Sequence, residues 1–127
     1  MRKTLLVVLG SMTLAIAGVA SANTVVDVWT CTLKEGKTAE DSQAAGKMWV
    51  AVVRKITGNN EITSSWASAI IGDAATFRWF DTYPSLEAYA AAQTAIENSE
   101  EYGPAAAALD ETQTCSGNQL FSSVVVD

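Results

Sequence analysis

The chain has 127 residues, with 8 Lys+Arg, 14 Asp+Glu, two cysteines and no histidine. This length is enough for one domain, and a hydrophobic content of 49% can fill its core. Without histidine the chain cannot build a Ser-His-Asp or Cys-His catalytic arrangement, and it lacks the commonest zinc ligand. The composition therefore predicts a single folded domain whose chemistry does not use an imidazole.

The N-terminus has the pattern of a secretory signal peptide. Arg2 and Lys3 precede a largely apolar run that ends in Ala20-Ser21-Ala22. We therefore expect residues 1–22 to be removed and residues 23–127 to form an exported domain, either periplasmic or secreted. That domain keeps 6 Lys+Arg against 14 Asp+Glu, a net charge of −8. Such a charge disfavours binding to nucleic acid and to anionic membrane surfaces, so neither partner is predicted.

The first half of this domain shows a strand, a helix and a second strand. β-Branched and aromatic residues predict a strand over residues 25–33. Apolar residues at helical spacing predict a helix over residues 38–56, and Thr38 with Asp41 three positions later resembles a capping box at its start. Residues 61–71 are interpreted as the second strand.

The second half of the domain shows a strand, a helix, a short helix and a final strand. Residues 76–82 predict a third strand that forms a hairpin with the second, and Ser85 is the expected cap of a helix that ends near residue 98. Residues 105–109 suggest a short additional helix, and residues 119–126 a final strand. The order β, α, β, β, α, β predicts an α+β, ferredoxin-like sandwich, in which both main helices cover one face of a four-stranded antiparallel sheet.

The two cysteines occupy positions that this topology brings together. Cys31 lies near the end of the first strand and Cys115 lies just before the last, and these strands are antiparallel neighbours in a ferredoxin-like sheet. Export to an oxidising compartment favours a disulfide. A redox-active pair is the alternative, but the close Cys-x-x-Cys spacing is missing. In the chain-entropy model, closing a loop of about 85 residues stabilises the fold by roughly 4 to 5 kcal/mol.

Both faces of the predicted sheet carry large apolar residues. In the last strand Phe121 and Val125 alternate with Leu120, Val124 and Val126. Helices on one side would leave the other face exposed to water. We therefore expect a symmetric homodimer in which two sheets close face to face.

One stretch resembles a known superfamily. Residues 76–89, TFRWFDTYPSLEAY, followed by residues 98–102, NSEEY, resemble the dimeric α+β-barrel superfamily, which includes antibiotic-biosynthesis-monooxygenase-like, NIPSNAP-like and haem-degrading proteins. The resemblance implies a dimeric barrel with a pocket between the sheet and the helices. Glu100 stands where the superfamily usually has proline. Many of its enzymes also use a histidine that this chain lacks, so neither that catalysis nor imidazole-ligated haem is carried over. No cofactor and no metal site is predicted.

Four tryptophans and a strand arginine are the candidates for a ligand pocket. Indole rings can line an apolar cavity, although they also fill cores and dimer interfaces. The small residues that flank Trp66 in the second strand favour open volume beneath the helices. The candidate ligand-binding residues are Trp29, Trp49, Trp66, Arg78, Trp79 and Tyr83.

Arg78 is the one basic residue in a predicted strand, and that strand is central. A shielded cation requires a partner, for which Asp27 in the neighbouring strand is the first candidate and Asp81 the second. Arg78 either forms this structural ion pair or points into the pocket, where it would orient a carbonyl, carboxylate or phenolate group.

Three functional hypotheses remain open at this point. The first is an exported protein that binds a small, largely apolar ligand. The second is a cofactor-independent monooxygenase or isomerase acting on an aromatic or polyketide-like substrate, in which a carboxylate, a tyrosine or water replaces histidine as the base. The third is a structural or partner-binding dimer without a ligand. Whether the protein is an enzyme is left undecided.

Overall fold

A computed structural model describes residues 23–127 of the chain, so the predicted signal peptide lies outside the described residues. Within them an antiparallel sheet of four strands packs against three helices. The elements in chain order are β1 (Thr24–Leu33), α1 (Ala39–Thr57), β2 (Thr63–Ser68), β3 (Phe77–Tyr83), α2 (Leu86–Asn98), α3 (Tyr102–Thr112) and β4 (Gln113–Ser123). The predicted ferredoxin-like order is confirmed.

The strands are arranged in the order β2-β3-β1-β4, so β1 and β3 are central. Asp27 lies opposite Asp81, and Trp29 lies opposite Trp79, in the pairing of β1 with β3. Cys31 on β1 pairs with Cys115 on β4, and the two are joined by a disulfide across 84 positions of sequence. The predicted disulfide is confirmed, because the topology places the end of β1 beside the start of β4.

Local hydrogen bonds fix the starts of the two long helices. The Thr38 hydroxyl accepts a hydrogen bond from the Asp41 amide at 3.2 Å, and the Asp41 carboxylate accepts one from the Thr38 amide at 2.9 Å. The Ser85 hydroxyl accepts from the Ala88 amide at 3.1 Å at the start of α2. Each bond satisfies an amide that the helix leaves unpaired, so both predicted caps are confirmed.

The bounds of three elements differ from the prediction. β4 begins at Gln113, six positions earlier than expected, and ends before Val124. Its first half is polar and is held by pairing with β1, where the register shifts at a bulge between Thr30 and Cys31. The third helix spans Tyr102–Thr112 rather than residues 105–109, because its proline lies in the first turn, where a missing amide costs no helical hydrogen bond. β2 is shorter than predicted, at Thr63–Ser68.

The two faces of the sheet differ in their cover. One face meets the helices around a buried core that includes Val25, Val53 and Tyr83. The opposite face carries Phe80, partly buried, and Phe121, which is 47% exposed. No helix within residues 23–127 is long and apolar enough to span a membrane. The covered face carries a cavity between the sheet and the helices, and the opposite face carries an open groove whose lining includes Val28, Arg78 and Phe80.

Candidate ligand cavity between the sheet and the helices

A cavity of about 360 Å³ lies between the covered face of the sheet and all three helices. Its volume falls within the range of small-molecule sites. The aromatic residues that line it are Trp29, Trp49, Trp79, Tyr83 and Tyr102, and the polar ones include Asp27, Ser64, Asp81, Gln93, Asp110 and Gln113. None of the described side chains that line it is cationic. The cavity therefore combines apolar aromatic walls with carboxyl groups.

The structure brings together four of the six candidate ligand-binding residues, Trp29, Trp49, Trp79 and Tyr83. Trp66 lies outside the cavity lining and stacks on Phe77, with ring centroids 5.1 Å apart. Its indole nitrogen is buried and finds no hydrogen-bond partner among the described residues. The volume expected next to Trp66 is instead lined on β2 by Ser64.

Arg78 lies on the opposite face of the sheet from the cavity. It pairs with Thr30 and is exposed, whereas the cavity is lined by the alternate residues Trp79 and Asp81. Both expected roles of Arg78, the ion pair with Asp27 and the contact with a ligand in this cavity, are wrong. The physical reason is the alternation of side chains along a strand, which directs neighbouring residues to opposite faces.

The indole of Trp79 is held in place by a glycine and a polar network. Gly46 on α1 lies so close to this ring that a Cβ atom there would stand 2.1 Å from Trp79 Cη2. The Trp79 indole donates a hydrogen bond to Gln113 Oε1 at 3.1 Å, and the Ser42 hydroxyl donates to the same oxygen at 2.7 Å. These contacts fix one wall of the cavity from α1 and β4.

Asp27 and Asp81 form a pair of buried carboxyl groups at the sheet wall of the cavity. They are cross-strand partners, and their residues are only 3% and 7% exposed. Asp27 accepts a hydrogen bond from Asn118 at 2.9 Å, and Asp81 accepts one from Ser64 at 2.5 Å. No described lysine or arginine forms an ion pair with either carboxyl group. The pair is therefore desolvated without a compensating cation.

Burial shifts the protonation of this pair. Loss of solvation raises the pKa of Asp81 to about 7; the Ser64 hydrogen bond opposes the shift, and the facing Asp27 adds to it. Loss of solvation also raises the pKa of Asp27, against the hydrogen bond from Asn118. Burial and the nearby Asp81 carboxyl raise the pKa of Tyr83, so its hydroxyl stays neutral. Near neutral pH, Asp81 can therefore both donate and accept a proton.

From the sequence, Asp27 and Asp81 were expected only as partners for Arg78, and neither was predicted to line the cavity. The signal that could have found them is their spacing, since each lies two positions from a cavity tryptophan, Trp29 or Trp79, on the same strand. Residues two apart share a face of a strand. The cavity residues contributed by α2, α3 and β4, such as Gln93 and Gln113, carried no such signal.

No family model matches the sequence, and no curated protein is significantly similar to it. Solved structures are similar. SnoaB from Streptomyces nogalater, described as a cofactor-independent oxygenase, is 13% identical, with 83% of this chain and 97% of that one covered and a TM-score of 0.58. A NIPSNAP family protein from Agrobacterium tumefaciens is 16% identical, with 81% and 88% covered and a TM-score of 0.60. The chain shares the fold of these proteins.

A third structure extends the comparison. A NIPSNAP-like domain protein from Burkholderia xenovorans is 10% identical, with 83% of this chain and 89% of that one covered and a TM-score of 0.59. The ferredoxin-like fold that the resemblance implies is thus confirmed. Function depends on the side chains that this chain places in its own cavity.

Proposed function

We propose that residues 23–127 form an exported domain that binds a small, largely apolar molecule in the cavity between the sheet and the helices. The observation that carries this proposal is the cavity itself, about 360 Å³ in volume, with three tryptophans and two buried carboxyl groups in its lining. Two desolvated acids without a cation destabilise a fold, so packing alone does not account for them. Groups of this kind are typical of functional sites.

The test is to fill the cavity with a bulky side chain from α3 and to place the same side chain on the exposed side of α3 as a control. Ala106 on α3 lines the cavity, whereas the next residue, Ala107, is exposed and lies outside the lining. A phenylalanine at position 106 would fill part of the space that a ligand needs, and one at position 107 would project from the exposed side of the helix. Ala106→Phe and Ala107→Phe therefore form a matched pair.

Ligand-observed NMR with a library of small aromatic compounds measures the effect. Compounds that bind the wild type and Ala107→Phe but not Ala106→Phe support the proposal. Compounds that bind all three proteins equally contradict it, and so does a library from which nothing binds the wild type. Native mass spectrometry of the exported protein from its own host then identifies the retained ligand.

A second candidate function is supported by the Asp81 carboxyl group. It lines an apolar cavity with a pKa of about 7, which suits a general base in a chain without histidine. SnoaB, with the same fold, is described as a cofactor-independent oxygenase. In the corresponding reaction here, Asp81 would take a proton from a ring methylene of an aromatic or polyketide-like substrate. The stabilised anion would reduce dioxygen, so that the methylene carbon becomes a carbonyl and the second oxygen atom leaves as water.

Oxygen consumption separates catalysis from binding. An oxygen electrode should record uptake with an acidic phenolic or polyketide-like substrate in the wild type and its loss in Asp81→Asn. Substrates that bind without oxygen uptake or product formation leave the binding function and contradict the oxygenase.

We also propose that the protein is a homodimer formed through the uncovered face of the sheet. Val28, Phe80 and Phe121 leave an apolar surface there that a second sheet would bury. Phe121→Lys should convert the dimer to a monomer in native mass spectrometry. Leu86→Lys, an exposed apolar position on α2, should not. A wild-type monomer would contradict the proposal.

A further inference from the structure

The charges that line the cavity point to the class of ligand. Asp27 and Asp81 lie at its sheet wall, and Asp110 on α3 is exposed, so it stands where the cavity meets solvent. The Lys34 ammonium group donates to the Asp110 main-chain carbonyl, and Lys34 does not line the cavity. The cavity itself thus presents carboxyl groups and no positive charge among the described residues.

The hydrogen bonds of the carboxyl pair leave an acceptor free. Ser64 is the one donor among the described residues that reaches Asp81, and it bonds Oδ1. Asp81 nevertheless is more than nine-tenths buried and lines the cavity. A carboxyl oxygen that faces a cavity without a donor is stabilised by a ligand that supplies one, and most strongly by a charged donor.

The apolar walls fit the same type of ligand. Trp29, Trp49 and Trp79 surround the cavity on the sheet and α1 sides. Indole faces attract cations through their quadrupole and also pack against aromatic rings. Carboxyl groups at one wall and indole rings around them are the two components from which proteins build sites for organic cations.

We infer that the cavity binds an organic monocation, a protonated amine carried on an aromatic or other apolar group, with its ammonium group at Asp27 and Asp81. The apolar part of this ligand packs against Trp29, Trp49 and Trp79. This inference rests on the proposed binding function and gives it a chemical class.

Proton release accompanies such binding. The titratable groups that face Asp81 are Asp27 on β1, Tyr83 on β3, and Tyr102 and Asp110 on α3. Tyr89 on α2 lies near Asp27. The residues with which α1 lines the cavity, Gly46 and Trp49, do not titrate. A cation next to Asp81 favours its ionised form and lowers its pKa. Near pH 6 the bound amine should therefore displace about one proton, and above about pH 8.5 almost none.

Three probes of nearly equal size test the inference by isothermal titration calorimetry. They are the cation 2-phenylethylamine, the neutral donor 2-phenylethanol and the anion phenylacetate. At about pH 8.5, where Asp81 is ionised and the amine still mostly protonated, we expect the amine to bind about tenfold more tightly than the alcohol. Phenylacetate should bind more weakly than either. Titrations of the amine near pH 6 in buffers of different ionisation enthalpy measure the displaced proton.

Variants assign the preference to the carboxyl pair. The double variant Asp27→Asn and Asp81→Asn should remove the advantage of the amine while the affinity for the alcohol changes little. Glu97→Gln removes one negative charge from an exposed position on α2 and should leave the advantage intact. Ala106→Phe should abolish binding of both probes.

The outcomes separate this inference from the function on which it rests. If the alcohol binds as tightly as the amine and Ala106→Phe blocks both, the cavity is a ligand site but the cation is the wrong class. An amine that binds tightly near pH 6 without proton release would also overturn its placement at Asp81. If neither probe binds, or if Ala106→Phe has no effect, the binding function fails as well.

Discussion

The buried Asp81 carboxyl group makes the stability of this domain depend on pH in a direction opposite to that of most acidic residues. Its pKa is about 7 in the folded protein, against 3.8 for an ordinary aspartate. Between these values the folded state binds more protons than the unfolded state, so the free energy of unfolding falls as pH rises. The contribution of Asp81 to the free energy of unfolding is fully present below about pH 4 and is lost as pH increases through about 7.

The magnitude follows from the two pKa values. One displaced proton changes the free energy of unfolding by about 1.4 kcal/mol per pH unit, and a window of about three units gives roughly 4 kcal/mol. Asp81→Asn removes the titration and keeps an oxygen that can accept from the Ser64 hydroxyl. We expect this variant to match the wild type within about 1 kcal/mol at pH 4 and to be more stable by roughly 3 to 4 kcal/mol at pH 8.

Urea unfolding followed by tryptophan fluorescence, at pH values from 4 to 8, provides the measurement. The difference between Asp81→Asn and the wild type reports this group together with its coupling to Asp27, because the more distant titrating residues contribute nearly equally to both proteins. Glu97→Gln is the control, and its difference from the wild type should stay flat. A difference between Asp81→Asn and the wild type that does not grow with pH would refute the reasoning, since it would mean that Asp81 is not desolvated.

Three further predictions concern the packing of the tryptophans and the disulfide. Gly46→Ala should shift the Trp79 fluorescence and cost about 1 to 3 kcal/mol by overpacking, whereas Gly103→Ala, with open space around it, should not destabilise; equal effects on urea midpoints would contradict this. Trp79→Phe should cost about 1 kcal/mol more than Trp66→Phe in the same assay, because only the Trp79 indole has a hydrogen bond to lose. Reducing the disulfide should lower the unfolding free energy by about 2 to 5 kcal/mol, and an unchanged midpoint would contradict its role.

Features governed by neighbouring residues were predicted well. The cap of α1 by Thr38 and Asp41 and the cap of α2 by Ser85 depend on hydrogen bonds that span three positions, and both are present. The element order followed from hydrophobic periodicity, and from it came the antiparallel contact between β1 and β4. That contact in turn explained why Cys31 and Cys115 meet.

Features that depend on pairing between distant segments were predicted less well. The early start of β4 at Gln113 was missed, because its first residues are polar and become a strand through pairing with β1. Gln113 then holds the Trp79 indole, so this boundary also decides part of the cavity wall. Low intrinsic strand propensity is overridden there by tertiary contact.

The sequence by itself determined the fold class and the capped helices, because both follow from local patterns, and it determined the disulfide through the strand order that those patterns imply. Only the tertiary structure decided which face of each strand meets the helices. That choice places Asp27 and Asp81 in the cavity and Arg78 on the opposite face. Neighbouring residues in a strand point in opposite directions, so the packing of the helices, rather than the residue types, separates the carboxyl pair from the cation that was expected to neutralise it.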